Sequence, residues 1–169
     1  MDMIETKRLI LRKFTLEDAE GYFRLNSNRE VTRFTGDKPF GSIADAVQVL
    51  LNAPLRDYEV HGFGRLACVD KASGELIGFS GLKYLPEMDE VDLGYRFLPE
   101  CWGRGYATES SVAVMDYGLE TLGLKRIIGV VEPDNVASVK VLQKVGMRHE
   151  GKVTYGAEAS DMDLYARQR

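Results

Sequence analysis

The sequence predicts an α+β fold: a single domain, residues 1–169, built around a mostly antiparallel sheet. Three observations carry this. Strand-like segments follow one another through the middle of the chain with only short turns between them, which suits hairpins and leaves no room for helical crossovers. Helical periodicity is confined to two segments before that run and two after it, giving the order β-α-α-β-β-β-α-β-α-β-β. With 169 residues, 44% of them apolar, the chain is long enough for one well-packed core and short for two.

Taken in order, Leu9–Leu11 between basic residues reads as a short first strand. Thr15 followed by Asp18 resembles a capping box, with Asp where Glu or Gln is usual, and opens a helix to about Asn26. Leu16, Ala19, Tyr22, Phe23 and Leu25 supply its apolar side. Asn28–Gly41 reads as a short helix and then a loop. Ser42 with Asp45 caps a helix over Ile43–Tyr58 that Pro54 must kink or end early. Gly64–Asp70 and Leu76–Tyr84 flank the turn Lys71–Gly74 as a hairpin. Glu90–Phe97 alternates, with Val91, Leu93, Tyr95 and Phe97 on one face and Glu90, Asp92, Gly94 and Arg96 on the other. Val112, Met115, Leu119 and Leu122 fall at helical spacing before Gly123. Arg126–Val131 is a buried-type strand. Pro133-Asp134-Asn135 leads into a short helix with Ala137, Val141, Leu142 and Val145 inward, ended by Gly146. Strands near Met147–Val153 and Met162–Arg167 follow.

The net charge of −4 has no clustered basic footprint, which argues against nucleic acid as the main partner. Cys68 and Cys101 show neither metal-ligand spacing nor a disulfide framework, so a reduced, cytoplasmic setting is expected. Residues 1–7 are polar and Leu9–Leu11 is too short for a signal peptide; no stretch approaches the roughly 20 apolar residues of a membrane span.

The stretch that carries chemistry is Cys101–Glu109, CWGRGYATE. Gly103 and Gly105 bracket Arg104, and Ala107 and Thr108 follow just as a helix begins. Small residues let the backbone approach a ligand, while the first helical turn offers unpaired N–H groups at the positive end of the dipole. That is an anion cradle suited to a phosphate or diphosphate, or else a glycine-rich loop that merely caps a helix. It is not a P-loop, since Tyr106-Ala107 stands where Lys-Ser/Thr is required. Nor is it a dinucleotide fingerprint: Thr108 takes the third glycine's place, and Lys125 and Arg126 lie where an acidic ribose ligand belongs.

Taken together, these segments resemble the GCN5-related N-acetyltransferases (GNAT), and within them the RimJ/RimL-like ribosomal-protein N-terminal acetyltransferases. The resemblance covers nearly the whole chain. Thr6–Arg12 matches that group's opening strand, Gly74–Phe79 its third-strand entry and Leu93–Tyr95 its fourth strand. Trp102–Glu109 corresponds to the acetyl-CoA diphosphate loop, and Asn135–Ser138 with Leu142–Met147 to a second signature. Trp102 departs from the Gln or Arg usual in the broad family, but Trp is common there in the RimJ/RimL-like branch. The fold implied is a mixed, mostly antiparallel sheet of about seven strands, splayed between the fourth and fifth and flanked by about four helices.

The resemblance further implies an acetyl-CoA-dependent N-acetyltransferase, without metal, acting by direct attack of a primary amine. The acceptor would be a protein N-terminus or a small amine, and a homodimer follows by analogy. Amides from Gly103, Arg104, Gly105, Tyr106, Ala107 and Thr108 would hold the diphosphate. A backbone N–H of Phe97 or Leu98 would face the oxyanion, since Pro99 has none to offer. Ser138 is the candidate acid toward the departing thiolate, with Asn135 anchoring the helix start or the pantetheine amide; both residues could instead only cap a helix. Asp92, with Glu90 beside it, is the candidate base, or a solvent-facing strand residue. His61, His149 and the cysteines read as loop and packing residues. Tyr22, Phe23, Phe34, Phe40, Tyr58 and Phe63 either line an acceptor pocket or belong to the core. A CoA-binding module without turnover, or a purely structural domain, are the alternatives to the enzyme.

Overall fold

The structure, a computed structural model, describes residues 3–33, 37–156 and 160–169. Phe34 therefore lies outside the described residues. The sheet has eight strands: β1 (Ile4–Glu5), β2 (Leu9–Lys13), β3 (Arg65–Asp70), β4 (Leu76–Leu85), β5 (Glu90–Phe97), β6 (Arg126–Val131), β7 (Arg148–Tyr155) and β8 (Ser160–Gln168), in the spatial order β1-β2-β3-β4-β5-β6-β8-β7. Every pairing is antiparallel except β5 with β6. The sequence-expected first strand is thus β2, and the fourth and fifth are β5 and β6. The extra strand, β1, holds only two residues opposite Ile10 and Leu11.

The helices are α1 (Ala19–Asn26), α2 (Arg29–Thr32), α3 (Ile43–Asn52), α4 (Pro54–His61), α5 (Tyr106–Asp116) and α6 (Val136–Lys144). The capping box at Thr15 and Asp18 is present, although its first turn is a tight 3₁₀ one before α1 begins. Ser42 Oγ accepts from the Asp45 amide at 3.2 Å, as a cap should. Pro54 both stops one helix and starts the next: it occupies the first turn of α4, where its missing N–H costs nothing. Beyond α5 the chain widens into a π turn at Tyr117–Thr121, closed by Leu122 N–H donating to Tyr117 O at 3.0 Å.

The main core covers both faces of the sheet, under α1 and α3 on one side and under α5 on the other, with Leu9, Leu11, Leu25, Leu50 and Ile127 fully buried. Each such side chain contributes roughly 1.5–3 kcal/mol by leaving water. A small second cluster of Leu85, Ile128 and Ala166 lies near β7 and β8.

The alternation in β5 decides what faces what. Phe97 stacks on Tyr106 of α5 with ring centroids 6.1 Å apart, and the Tyr95 hydroxyl meets Ser138 of α6, so the odd-numbered residues face those helices. Arg96 points the opposite way, reaching Asn26 of α1 at 2.7 Å. Between β5 and β6 the pairing is confined to Asp92 opposite Ile128. Past that point β5 runs on through Phe97 without a neighbour on that side, so the sheet opens into a wedge.

Candidate active site

The wedge exposes main-chain groups of β5, and the ladder with β4 determines which. Leu98 N–H donates to Ile77 O at 2.9 Å. Hydrogen-bonded residues alternate along an antiparallel ladder, and Phe97 lies opposite Gly78 at a non-bonded position. The N–H and C=O of Tyr95 and Phe97 therefore turn toward β6, into the opening. Of the two expected oxyanion donors, Leu98 has its N–H committed inside the sheet, whereas Phe97 directs its own into the wedge. The Phe97 carbonyl accepts from the Trp102 indole Nε1–H at 2.8 Å. Trp102, half exposed, thus pins the end of β5 to the glycine loop.

That loop turns sharply. A 3₁₀ turn at Pro99–Cys101 is followed by Gly103 at φ 72° and Gly105 at φ 83°, left-handed angles that side chains resist. Glu109 N–H closes the first α5 bond onto Gly105 O. Among the described residues, no protein group accepts from the amides of Gly103 through Thr108. This is a run of unpaired donors at the positive end of a helix, with no side chain capping it. A diphosphate fits here on donor chemistry alone.

The flank of the cradle is built by residues far away in sequence. Glu109 accepts from the Thr6 hydroxyl at 2.6 Å, the Arg8 amide at 2.8 Å and Arg8 Nε at 2.7 Å. Burial pushes its carboxyl up, but these hydrogen bonds and the Arg8 charge outweigh that and leave it below its ordinary value. Arg8 also lies over the Tyr106 ring at 4.1 Å. Glu109 thus ties the opening strand to the helix that carries the cradle, and Arg8 keeps positive charge beside it.

Across the wedge, Asn135 caps α6, its Oδ1 accepting from the Ser138 amide at 3.3 Å. The Ser138 hydroxyl accepts from Tyr95 O–H at 2.8 Å. Burial, only partly offset by the bond to Ser138, raises the Tyr95 phenol above its ordinary value and keeps it protonated.

On the other face of β5 the carboxylates are not solvent-facing. Asp92 is buried, and its Oδ1 accepts from Arg65 Nη2 at 2.9 Å. Arg65 also donates to the carbonyls of Gly81 and Asp92, lying flat across the sheet. A Cβ on Gly94 would come within 2.4 Å of that guanidinium, so glycine is required beneath it. Glu90 instead binds Arg126, which makes a further two-pronged contact with Glu150. Arg96 bridges Asn26 and the Asp37 carboxylate.

The remaining sequence candidates fall into place as structural residues. Cys68 and Cys101 are buried free thiols, both raised by burial and poor nucleophiles. His61 packs on Tyr84, and His149 pairs with Asp163. Tyr22 and Tyr58 are core residues; Phe23, Phe40 and Phe63 pack against the core while partly exposed. Among the described residues no acidic, His or Cys cluster could hold a metal ion, and no helix is long and apolar enough to cross a membrane.

Sequence reasoning did not assign roles to Arg65, Glu109 or the Tyr95 hydroxyl. For Arg65 a signal existed: Gly81 and Gly94 interrupt two strand interiors, a pattern that marks the close approach of another group. Glu109 and Tyr95 acquire their roles only through partners distant in sequence, and a single sequence does not reveal those.

The comparisons with known proteins agree with this geometry. Residues 8–148 match the model of the acetyltransferase (GNAT) domain. The chain is 39% identical over 150 residues to the uncharacterized N-acetyltransferase YoaA of Bacillus subtilis, covering 88% of this chain and 84% of that protein. It is 26% identical to spermidine N(1)-acetyltransferase of Escherichia coli K12, over 86% of this chain and 75% of the relative. In fold it is similar to RimL, a ribosomal α-N-protein acetyltransferase solved with coenzyme A, at a TM-score of 0.82 and 18% identity over 99% and 98% of the two chains. The family match and the relatives' shared N-acetyltransferase descriptions lead to one conclusion: the chain belongs to the GNAT family and is an acetyl-CoA-dependent N-acetyltransferase.

Proposed function

We propose that the acceptor is a primary amine which attacks acetyl-CoA directly in a ternary complex, with a protein N-terminal α-amine the first candidate and a small-molecule amine the second. The observation that carries this reading is the run of unpartnered amides from Gly103 to Thr108 opening onto a wedge that also receives the Phe97 N–H. In this reading the amides of Gly103, Arg104, Gly105, Tyr106, Ala107 and Thr108 hold the diphosphate. Leu98 supplies a wall, and Asn135 fixes the start of α6.

The amine lone pair attacks the thioester carbonyl carbon, and the oxygen becomes anionic toward the Phe97 N–H. A well-aimed donor of this kind is worth roughly 3 kcal/mol. The C–S bond then breaks with its electron pair on sulfur, where the Ser138 hydroxyl donates a hydrogen bond. The proton released from nitrogen goes to Asp92 Oδ2 or to solvent. Arg65 occupies Oδ1 and leaves Oδ2 as the oxygen that would take it.

An acceptor that is already partly neutral needs the least help from a base. An α-amine with pKa near 8 is about a tenth neutral at pH 7, whereas a lysine amine is well under a thousandth. Placement in the RimJ/RimL-like branch rests on Trp102 and the motif set. The two buried free thiols suit a reducing, cytoplasmic setting.

The test is to incubate the protein and acetyl-CoA with N-terminal peptides, spermidine, amino acids and an aminoglycoside while following free thiol. Amine-dependent thiol release, strongest with α-amines, is the expected result. Coenzyme binding without amine-dependent release from any of them would instead favour the CoA-binding module.

A further inference from the structure

Ser138 does not stand alone, and its neighbour determines where its hydrogen can go. A serine hydroxyl has one donor hydrogen and two acceptor lone pairs. Tyr95 O–H occupies one lone pair at 2.8 Å. The phenol is the more acidic of the two hydroxyls and the poorer acceptor, so it donates. Among the described residues nothing in the protein accepts the hydrogen of Ser138 itself. The bond also bridges the wedge, joining β5 just past its last pairing with β6 to the first turn of α6.

We infer that Tyr95 is a positioning residue: by donating to Ser138 Oγ across the wedge, it turns the serine hydrogen away from β5 and toward the sulfur of the bound thioester. The inference rests on the N-acetyltransferase reading of the site and assigns Tyr95 a part that neither the motifs nor the comparisons give it.

Two physical arguments support it. A hydroxyl that accepts a hydrogen bond is polarised and becomes a better donor, so the chain Tyr95–Ser138–sulfur strengthens along its length. And burial holds the Tyr95 proton in place, so the chain works by hydrogen bonding and not by passing its protons on. The thiolate departs with its electron pair, stabilised by Ser138 and by the positive end of α6, and takes its proton from solvent. No group in the chain ends ionised.

The test is a double-mutant cycle of Tyr95→Phe and Ser138→Ala, reading kcat and KM for acetyl-CoA, with CoA affinity and thermal unfolding measured alongside. Wild-type turnover with an amine from the panel, and its loss in Ser138→Ala, test the parent reading first and independently. Given those, Tyr95→Phe is expected to lower kcat about tenfold, the scale of one hydrogen bond, with KM and CoA affinity little changed. In the Ser138→Ala background the same change is expected to cost nothing further, because Tyr95 acts only through the serine. An unaltered kcat in Tyr95→Phe overturns the inference while the enzyme reading stands. So does an equal loss in both backgrounds, which would mean that Tyr95 acts independently of Ser138, or a loss that tracks KM and stability alone.

Discussion

Gly105 illustrates how a single residue can hold a backbone shape and, in the proposed reading, a ligand site. Its φ of 83° is left-handed, and a side chain there would pay about 1–2 kcal/mol for the angle alone. A Cβ would also stand 3.4 Å from Arg8 Nη2, at the edge of the cradle. Gly105→Leu is therefore expected to weaken CoA binding about tenfold or more by calorimetry; an undiminished affinity would contradict the cradle. The left-handed turn was legible in the sequence because glycines before a helix start mark backbone angles that side chains resist. Asp92 was only half legible. Alternation put it on the correct face of β5, but its ion pair with Arg65 joins residues on different strands, so exposure could not be inferred from the local pattern.

Among the elements, the opening strand and α5 are coupled through Glu109. Its carboxyl lies below the ordinary value of 4.5 when folded, so the charged form favours the native state. That contribution is present above the unfolded value and lost as pH falls through the lower, folded one. Glu109→Gln should accordingly be less stable than wild type near neutral pH, and the difference should shrink in urea unfolding curves as pH falls below the unfolded value and through the lower, folded one. A difference that stays constant with pH would show that the carboxylate charge does not hold β2 to α5. Most element boundaries were readable from local chemistry: the capping box at Thr15, the break at Pro54, the stop at Gly123. The missed features are those that local chemistry does not encode. β1 is two residues held by pairing alone, and the π turn after α5 is a backbone adjustment with no sequence marker.

At the scale of the whole molecule, the proposed function follows from one interruption in an otherwise continuous sheet. The ladder between β5 and β6 pairs only Asp92 with Ile128, so the far half of β5 presents main-chain groups that a closed sheet would have consumed. The glycine loop and α5 stand at one side of that opening and α6 at the other; β2, through Arg8 and Glu109, braces the first. The strand order was legible in outline from the run of hairpins, and the wedge only through the family resemblance, because neither periodicity nor turns report where pairing stops. The most direct test of this account is a crystal structure of the protein with coenzyme A. The account expects the diphosphate oxygens within hydrogen-bond distance of amides between Gly103 and Thr108, and the pantetheine lying along β5 in the wedge. A coenzyme bound anywhere else would contradict it.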